Sequence, residues 1–178
     1  MLKKCGRRIR QDKMRTPPAV SWFPGQWLGG VQEARSRSWL RSHGIRRVIT
    51  VAAEIDVETL PRKEMPEIEW VFFPLEDSRR RPDRGRIQDV MWGYLERVMK
   101  VVRDSVEKGI PTLVHCVMGA QRAPTILVCF WIERYGWKAE EAIQQMRRFR
   151  EGSFQSDCHF ENVILEWERR YFFNLNRR

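Results

Sequence analysis

The sequence predicts an α/β fold in which a central, mostly parallel sheet is flanked by helices. Apolar segments of strand length, rich in β-branched and aromatic residues, alternate with longer segments of helical periodicity. This alternation is typical of parallel sheets, because each pair of parallel strands needs a crossover connection. A chain of 178 residues, 42% hydrophobic and 31% charged, also fits one globular domain with a sizeable core.

The first half of the chain predicts short elements. The segment SWFPGQWLGG, residues 21–30, predicts a short aromatic strand that is ended by glycines. Residues 31–43 predict a helix with Gly44 as its stop. IRRVITVAAE and IEWVFFPL predict buried strands at 45–54 and 68–75, and the polar, proline-punctuated segment between them predicts a loop.

The second half predicts longer helices around one more strand. Residues 76–86 form a charged loop, and the apolar segment IPTLVHC predicts a strand at 110–116. Helices are predicted at 87–107, 125–136, 138–150 and 159–173. These elements predict one domain over residues 21–178, preceded by a basic N-terminal arm over residues 1–20.

The net charge of +10 favours anionic partners such as phosphates, RNA or acidic lipid surfaces, although a basic surface also serves solubility alone. The four cysteines match no zinc or disulfide pattern, so we expect neither a metal nor another cofactor. This cysteine usage favours a reducing, intracellular compartment, either cytoplasm or nucleus. The basic arm leaves a mitochondrial location open. No apolar run approaches the ~20 residues of a membrane-spanning helix.

The candidate site is the segment LVHCVMGAQRAPT, in which a strand ends at Cys116 and a helix begins after Arg122. A strand that turns directly into a helix directs successive backbone N–H groups inward, which makes a nest for a phosphate group. Gly119 permits the tight path, and Arg122 can grip two phosphate oxygens at once. The same positive field favours a thiolate at Cys116, which His115 helps to orient.

The segment HCVMGAQR resembles the HCxxGxxR signature loop of the protein tyrosine phosphatases, most closely their dual-specificity branch. The resemblance continues on both sides, in WLGGVQEARSRSWLRSHGIRRVITVAAE, WVFFPLED and WKAEEAIQQMRRFR, and covers roughly residues 22–170. It implies a dual-specificity phosphatase fold and hydrolysis of phosphate monoesters through a cysteine thiophosphate, with phosphoprotein as the substrate.

The resemblance also implies residue roles. Cys116 would attack phosphorus, Asp77 would be the general acid, and Arg122 would hold the phosphoryl oxygens. The backbone amides that share this binding role belong to Val117, Met118, Gly119, Ala120, Gln121 and Arg122. For the general acid, Glu76 and Asp83 are neighbouring competitors.

Two departures from the family pattern bear on turnover. Ala123 stands where the family usually has a hydroxyl residue that stabilises the departing thiolate, which implies a slow enzyme. The family's Pro-Asn pair, which braces the loop, is replaced by a stretch that contains Ser156 and Asp157. A catalytically weak or inactive binding or scaffold protein, in an RNA-protein assembly, therefore remains an alternative.

An RNA or phosphoinositide phosphatase is a further alternative, because arginines crowd the loop beside Asp77 and favour a polyanionic substrate. These arginines are Arg79, Arg80, Arg81, Arg84 and Arg86. A solvated loop balanced by nearby carboxylates explains the same residues, so charge alone does not choose the substrate.

Overall fold

A computed structural model describes residues 18–77, 84–155 and 160–175. Five strands form one sheet in the order β1-β2-β5-β3-β4. Their bounds are β1 Val20–Phe23, β2 Gln26–Gly29, β3 Arg47–Val51, β4 Glu69–Phe73 and β5 Thr112–His115. Strand β1 pairs with β2 in antiparallel orientation, and all the other pairs are parallel. The predicted α/β class with a mostly parallel sheet is confirmed.

Six helices complete the described part of the chain, together with a short 3-10 turn at Val57–Thr59. Their bounds are α1 Val31–Arg35, α2 Arg37–Ser42, α3 Arg84–Glu107, α4 Arg122–Tyr135, α5 Ala139–Phe149 and α6 Glu161–Leu175. Helix α4 is central, since it packs against α3, α5 and α6. Its apolar composition follows from this position, because most of its side chains are buried.

Two predictions were wrong, because each predicted a single element where the structure has two. The single strand predicted at 21–30 is a hairpin of β1 and β2, because Pro24 and Gly25 form its turn and Gly25 has a φ of +73°. The single helix predicted at 31–43 is broken at Ser36, whose backbone is extended and whose hydroxyl caps α2 by accepting the Trp39 N–H.

The core lies on both faces of the sheet, since every residue of β3 and β5 is buried. Arg47 is the charged member of β3, and it lies at the amino end of the sheet. Its guanidinium binds Glu69 at 2.7 Å and Asp104 at 2.9 Å, so the buried charge is paired. No helix in the part of the chain described is both long and apolar enough to cross a bilayer.

Candidate active site

The candidate active site lies at the carboxyl edge of the parallel strands. Strand β5 lies between β2 and β3, and β4 follows β3 in the same direction. The segments that follow these strands therefore meet at one edge, where they bring together Gly30, Glu54, Asp77 and Cys116.

The catalytic loop, residues 116–121, has every one of its carbonyl groups bound from outside the loop. Two side chains donate: His115 Nδ1 to the Cys116 carbonyl oxygen at 3.2 Å, and the Arg150 guanidinium to those of Met118 at 3.1 Å and Gly119 at 2.9 Å. Three backbone N–H groups donate to the other carbonyl oxygens: Val31 to Val117 at 3.0 Å, Phe154 to Ala120 at 3.0 Å, and Thr125 to Gln121 at 2.9 Å. In a planar trans peptide the N–H points opposite to the carbonyl. The amides of residues 117–122 therefore point away from these donors, which is the direction that an anion-binding nest would require.

Gly119 allows the catalytic loop to pass directly over the end of β2. Its φ is +66°, and a Cβ atom there would lie 2.4 Å from the Gly29 carbonyl oxygen and 2.8 Å from Arg150 Nη2. No side chain fits this space, and the backbone conformation itself favours glycine.

Arg122 is buried, and the nitrogen atoms of its guanidinium differ in their hydrogen bonding. Its Nη1 and Nη2 atoms bind the two carboxylate oxygens of Glu54 at 2.5 and 2.6 Å, and Nη1 also donates to the Leu75 oxygen at 2.8 Å. Its Nε–H is buried without a hydrogen-bond partner among the described residues. The edge formed by Nε and Nη2 is the one with which a guanidinium can grip a second oxyanion.

Glu54 holds this arrangement by charge as well as by geometry. Burial alone would raise the pKa of Glu54, but the hydrogen bonds and charge of Arg122 outweigh it and leave the pKa lowered. Burial likewise acts to lower the pKa of Arg122, whereas Glu54, Cys116 and Asp77 together raise it. Arg122 and Glu54, which together form a clamp, therefore stay an oppositely charged pair at every pH relevant to catalysis.

His115 lies beneath the loop and is fully buried. Its Nδ1 lies 3.2 Å from the Cys116 carbonyl oxygen, which can only accept, so Nδ1 carries the proton. Its Nε2 then accepts from the Thr50 hydroxyl at 2.7 Å. Burial lowers the pKa of His115 to about 4, and the charges of Arg122 and Arg35 add to this effect. The ring is thus a neutral support for the loop.

Cys116 and Asp77, the other predicted catalytic residues, lie near Arg122. Cys116 is 2% exposed at the start of the loop. The Asp77 carboxylate forms an ion pair with Arg122 Nε at 3.6 Å, without a hydrogen bond. Its competitor Glu76 is instead paired with Arg86 at 2.6 Å. The other competitor, Asp83, lies outside the described residues.

Several other residues discussed above also lie outside the described part of the chain. They are Ser156, Asp157, Arg79, Arg80 and Arg81, together with the Arg84 side chain and residues 1–17 of the arm predicted over residues 1–20. Where the chain is described, no group of three acidic, histidine or cysteine side chains is arranged to hold a metal ion.

Sequence reasoning missed Glu54, Thr50 and Arg150. Glu54 and Thr50 had one usable signal, since both are polar residues near the carboxyl end of a predicted parallel strand. Arg150 gave none, because an arginine at the end of an amphipathic helix is ordinarily a solvated residue.

The sequence matches a known family of enzymes. The family model of the dual specificity phosphatase catalytic domain matches residues 27–170. Dual specificity protein phosphatase 1B of Arabidopsis thaliana is 25% identical over 130 residues, which cover 73% of this chain and 70% of that protein.

Two solved structures share the fold. A mouse putative dual specificity phosphatase, complexed with zinc tungstate, aligns with a TM-score of 0.72 at 17% identity and covers 94% of this chain and 96% of that chain. The human tyrosine phosphatase-like serine/threonine/tyrosine-interacting protein aligns with a TM-score of 0.70 at 18% identity and covers 88% and 99%. Since the family model spans most of the sequence, the chain belongs to the dual specificity phosphatase family of cysteine-dependent phosphatases.

Proposed function

We propose that this phosphatase hydrolyses phosphate monoesters on phosphoprotein, with Cys116 as nucleophile and Asp77 as general acid. Arg122 and the amides of residues 117–122 bind the phosphoryl oxygens. The observation that carries the proposal is the buried Arg122 Nε–H, which has no hydrogen-bond partner among the described residues and lies 3.6 Å from the Asp77 carboxylate, beside a loop whose carbonyl groups are all bound from outside.

The chemistry proceeds in two displacements. The Cys116 thiolate attacks phosphorus, the bond from phosphorus to the substrate oxygen breaks, and Asp77 gives that oxygen its proton. Water then attacks the phosphocysteine, Asp77 accepts the proton of the water, and the thiolate leaves as inorganic phosphate forms. Both steps place negative charge on oxygens that Arg122 and the loop amides stabilise.

Two comparisons support this choice of ligand and substrate. The mouse relative of the same fold was solved with tungstate, a tetrahedral oxyanion of the shape of phosphate. The plant relative is named a protein phosphatase. A nucleophilic thiol must stay reduced, so the proposal also implies a reducing compartment.

The test is phosphate release by the wild type and by Cys116→Ser over pH 5 to 8. The substrate panel contains an aryl phosphate, phosphotyrosine and phosphothreonine peptides, a phosphoinositide and 5′-triphosphorylated RNA. We expect release from the aryl phosphate and the peptides by the wild type alone. Turnover by the wild type that does not exceed Cys116→Ser would reject catalysis, and preference for the lipid or the RNA would reject the substrate class.

The matched pair Asp77→Asn and Glu76→Gln tests the general acid. On a peptide, whose leaving oxygen needs a proton, Asp77→Asn should lower kcat about 100-fold, whereas Glu76→Gln should change it less than about twofold. Equal effects of the two substitutions would remove Asp77 from the mechanism.

A further inference from the structure

Arg150 is a buried arginine at the end of an amphipathic helix. It caps α5, and its side chain is among the largest that are fully buried. Its guanidinium donates to the carbonyl oxygens of Gly119 at 2.9 Å, Met118 at 3.1 Å and Leu28 at 3.4 Å, and also to Pro18. One side chain thus joins the catalytic loop, the end of β2 and the segment that leads into β1.

The contacts of Arg150 act on the side of the peptide units that faces away from the phosphate nest. Holding the carbonyls of Met118 and Gly119 outward turns the amides of Gly119 and Ala120 inward, because each peptide unit is planar. Phe154 does the same for the next unit, since its N–H donates to the Ala120 oxygen at 3.0 Å. The segment 150–154 therefore orients three consecutive peptide units of the catalytic loop.

The backbone of Phe154 is consistent with this bracing role. Phe154 is 1% exposed, yet its φ is +51°, in the left-handed region that non-glycine residues seldom adopt. Such a conformation costs of order ~1–3 kcal/mol and persists where the surroundings hold it. Here the surroundings include Arg147, which binds the Phe154 carbonyl at 3.0 Å.

We propose that Arg150 is a positioning residue for phosphate binding: it sets the direction of the Gly119 and Ala120 amides. The inference rests on the proposed function, because it concerns the amides that bind the phosphoryl group. Lysine cannot replace it, since one ammonium does not reach carbonyls on several sides as a planar guanidinium does.

The first test is the variant Arg150→Lys, which keeps the charge and removes the branched geometry. Two readouts are measured on folded protein: tungstate affinity by calorimetry, and kcat/KM for an aryl phosphate. We expect both to fall about 10- to 100-fold, because misdirected amides no longer bind the oxyanion.

The control is Arg47→Lys. Arg47 is also a buried, multiply bonded arginine, but it lies at the amino end of the sheet and binds Glu69, Asp104 and Ser105. This variant should lose thermal stability and keep tungstate affinity within about twofold, which separates a general loss of stability from loop positioning.

The outcomes are distinguishable. A wild type that neither binds tungstate nor turns over would defeat the proposed function itself. An active wild type together with an Arg150→Lys variant that matches Arg47→Lys in both readouts would overturn the role of Arg150. If Arg150→Lys does not fold, Arg150→Gln, which retains one donor group, is measured against the same control and the same limits.

Discussion

At Ala123 the helix after the catalytic loop presents a buried methyl group at the position where the family usually has a hydroxyl. The nearby hydroxyl of Thr125 does not substitute for it, because it donates to the Gln121 carbonyl oxygen at 2.8 Å. In the proposed mechanism, the departing thiolate of Cys116 would therefore lack the hydroxyl donor that usually assists breakdown of the phosphocysteine.

We predict that Ala123→Ser raises steady-state turnover. A hydrogen bond to a charged group contributes about 1.5–3 kcal/mol, which corresponds to roughly a 10- to 100-fold gain if hydrolysis of the intermediate is limiting. Rapid-quench measurement on an aryl phosphate should show a burst followed by a slow phase in the wild type, and a faster second phase in the variant. A burst and a slow phase that are both unchanged would show that the missing hydroxyl does not limit the rate.

At the scale of elements, the catalytic loop depends on close contact with the end of β2. The two segments are joined by the bond from Val31 N to the Val117 oxygen and by the contact of Gly119 with Gly29. The helix that follows contributes its positive N-terminal end, since α4 begins at Arg122. Strand β2, the catalytic loop and helix α4 are thus joined in one packed unit.

We predict that Gly119→Ala abolishes tungstate binding and most activity. The added Cβ would lie 2.4 Å from a backbone oxygen that cannot move without displacing β2. Gly109→Ala is the matched control, because Gly109 has a similar φ of +62° and nothing within 4 Å of the added atom. Each variant should lose about 1 kcal/mol or more from backbone strain, measured by urea unfolding, and only Gly119→Ala should lose oxyanion affinity. Equal affinities in the two variants would contradict the close fit.

At the scale of the whole molecule, the carboxyl and amino ends of the parallel strands carry different groups of residues. The carboxyl end holds the loop proposed to bind the phosphoryl group and the ion pair of Arg122 with Glu54. The amino end holds the paired charge of Arg47. His115 links the site to global stability, because a fully buried neutral imidazole opposes protonation of the folded state.

We predict that the free energy of unfolding decreases between pH 6.5 and pH 4 because of His115. An unfolded histidine binds a proton near pH 6.5, whereas folded His115 does so only near pH 4, so the proton favours the unfolded state as pH falls through this window. The contribution of His115 to the free energy of unfolding has its full value above pH 6.5. It falls by about 3 kcal/mol as the pH is lowered to 4, and it does not change further below that pH. Urea unfolding as a function of pH should show this slope in the wild type and a shallower one in His115→Gln. Parallel curves would show that His115 is protonated equally in both states.

Much of the fold was predictable because its signals are local. A window of about ten residues is enough to predict buried strands such as IRRVITVAAE and helices with apolar periodicity. The errors arose where a short signal had two readings: the proline and glycine at 24–25 make a hairpin turn within one aromatic segment, and Ser36 begins a new helix within a helical pattern.

The sequence by itself determined the strand-loop-helix segment that carries the proposed nucleophile Cys116 and the proposed phosphate clamp Arg122, because both residues lie on one contiguous stretch of chain. Only the tertiary structure decided what holds that segment in place. Glu54 reaches Arg122 across 68 positions of the chain, and Arg150 reaches Gly119 across 31. The physical reason is that packing of the strand ends and helices creates these contacts, and no local pattern of residue types encodes them.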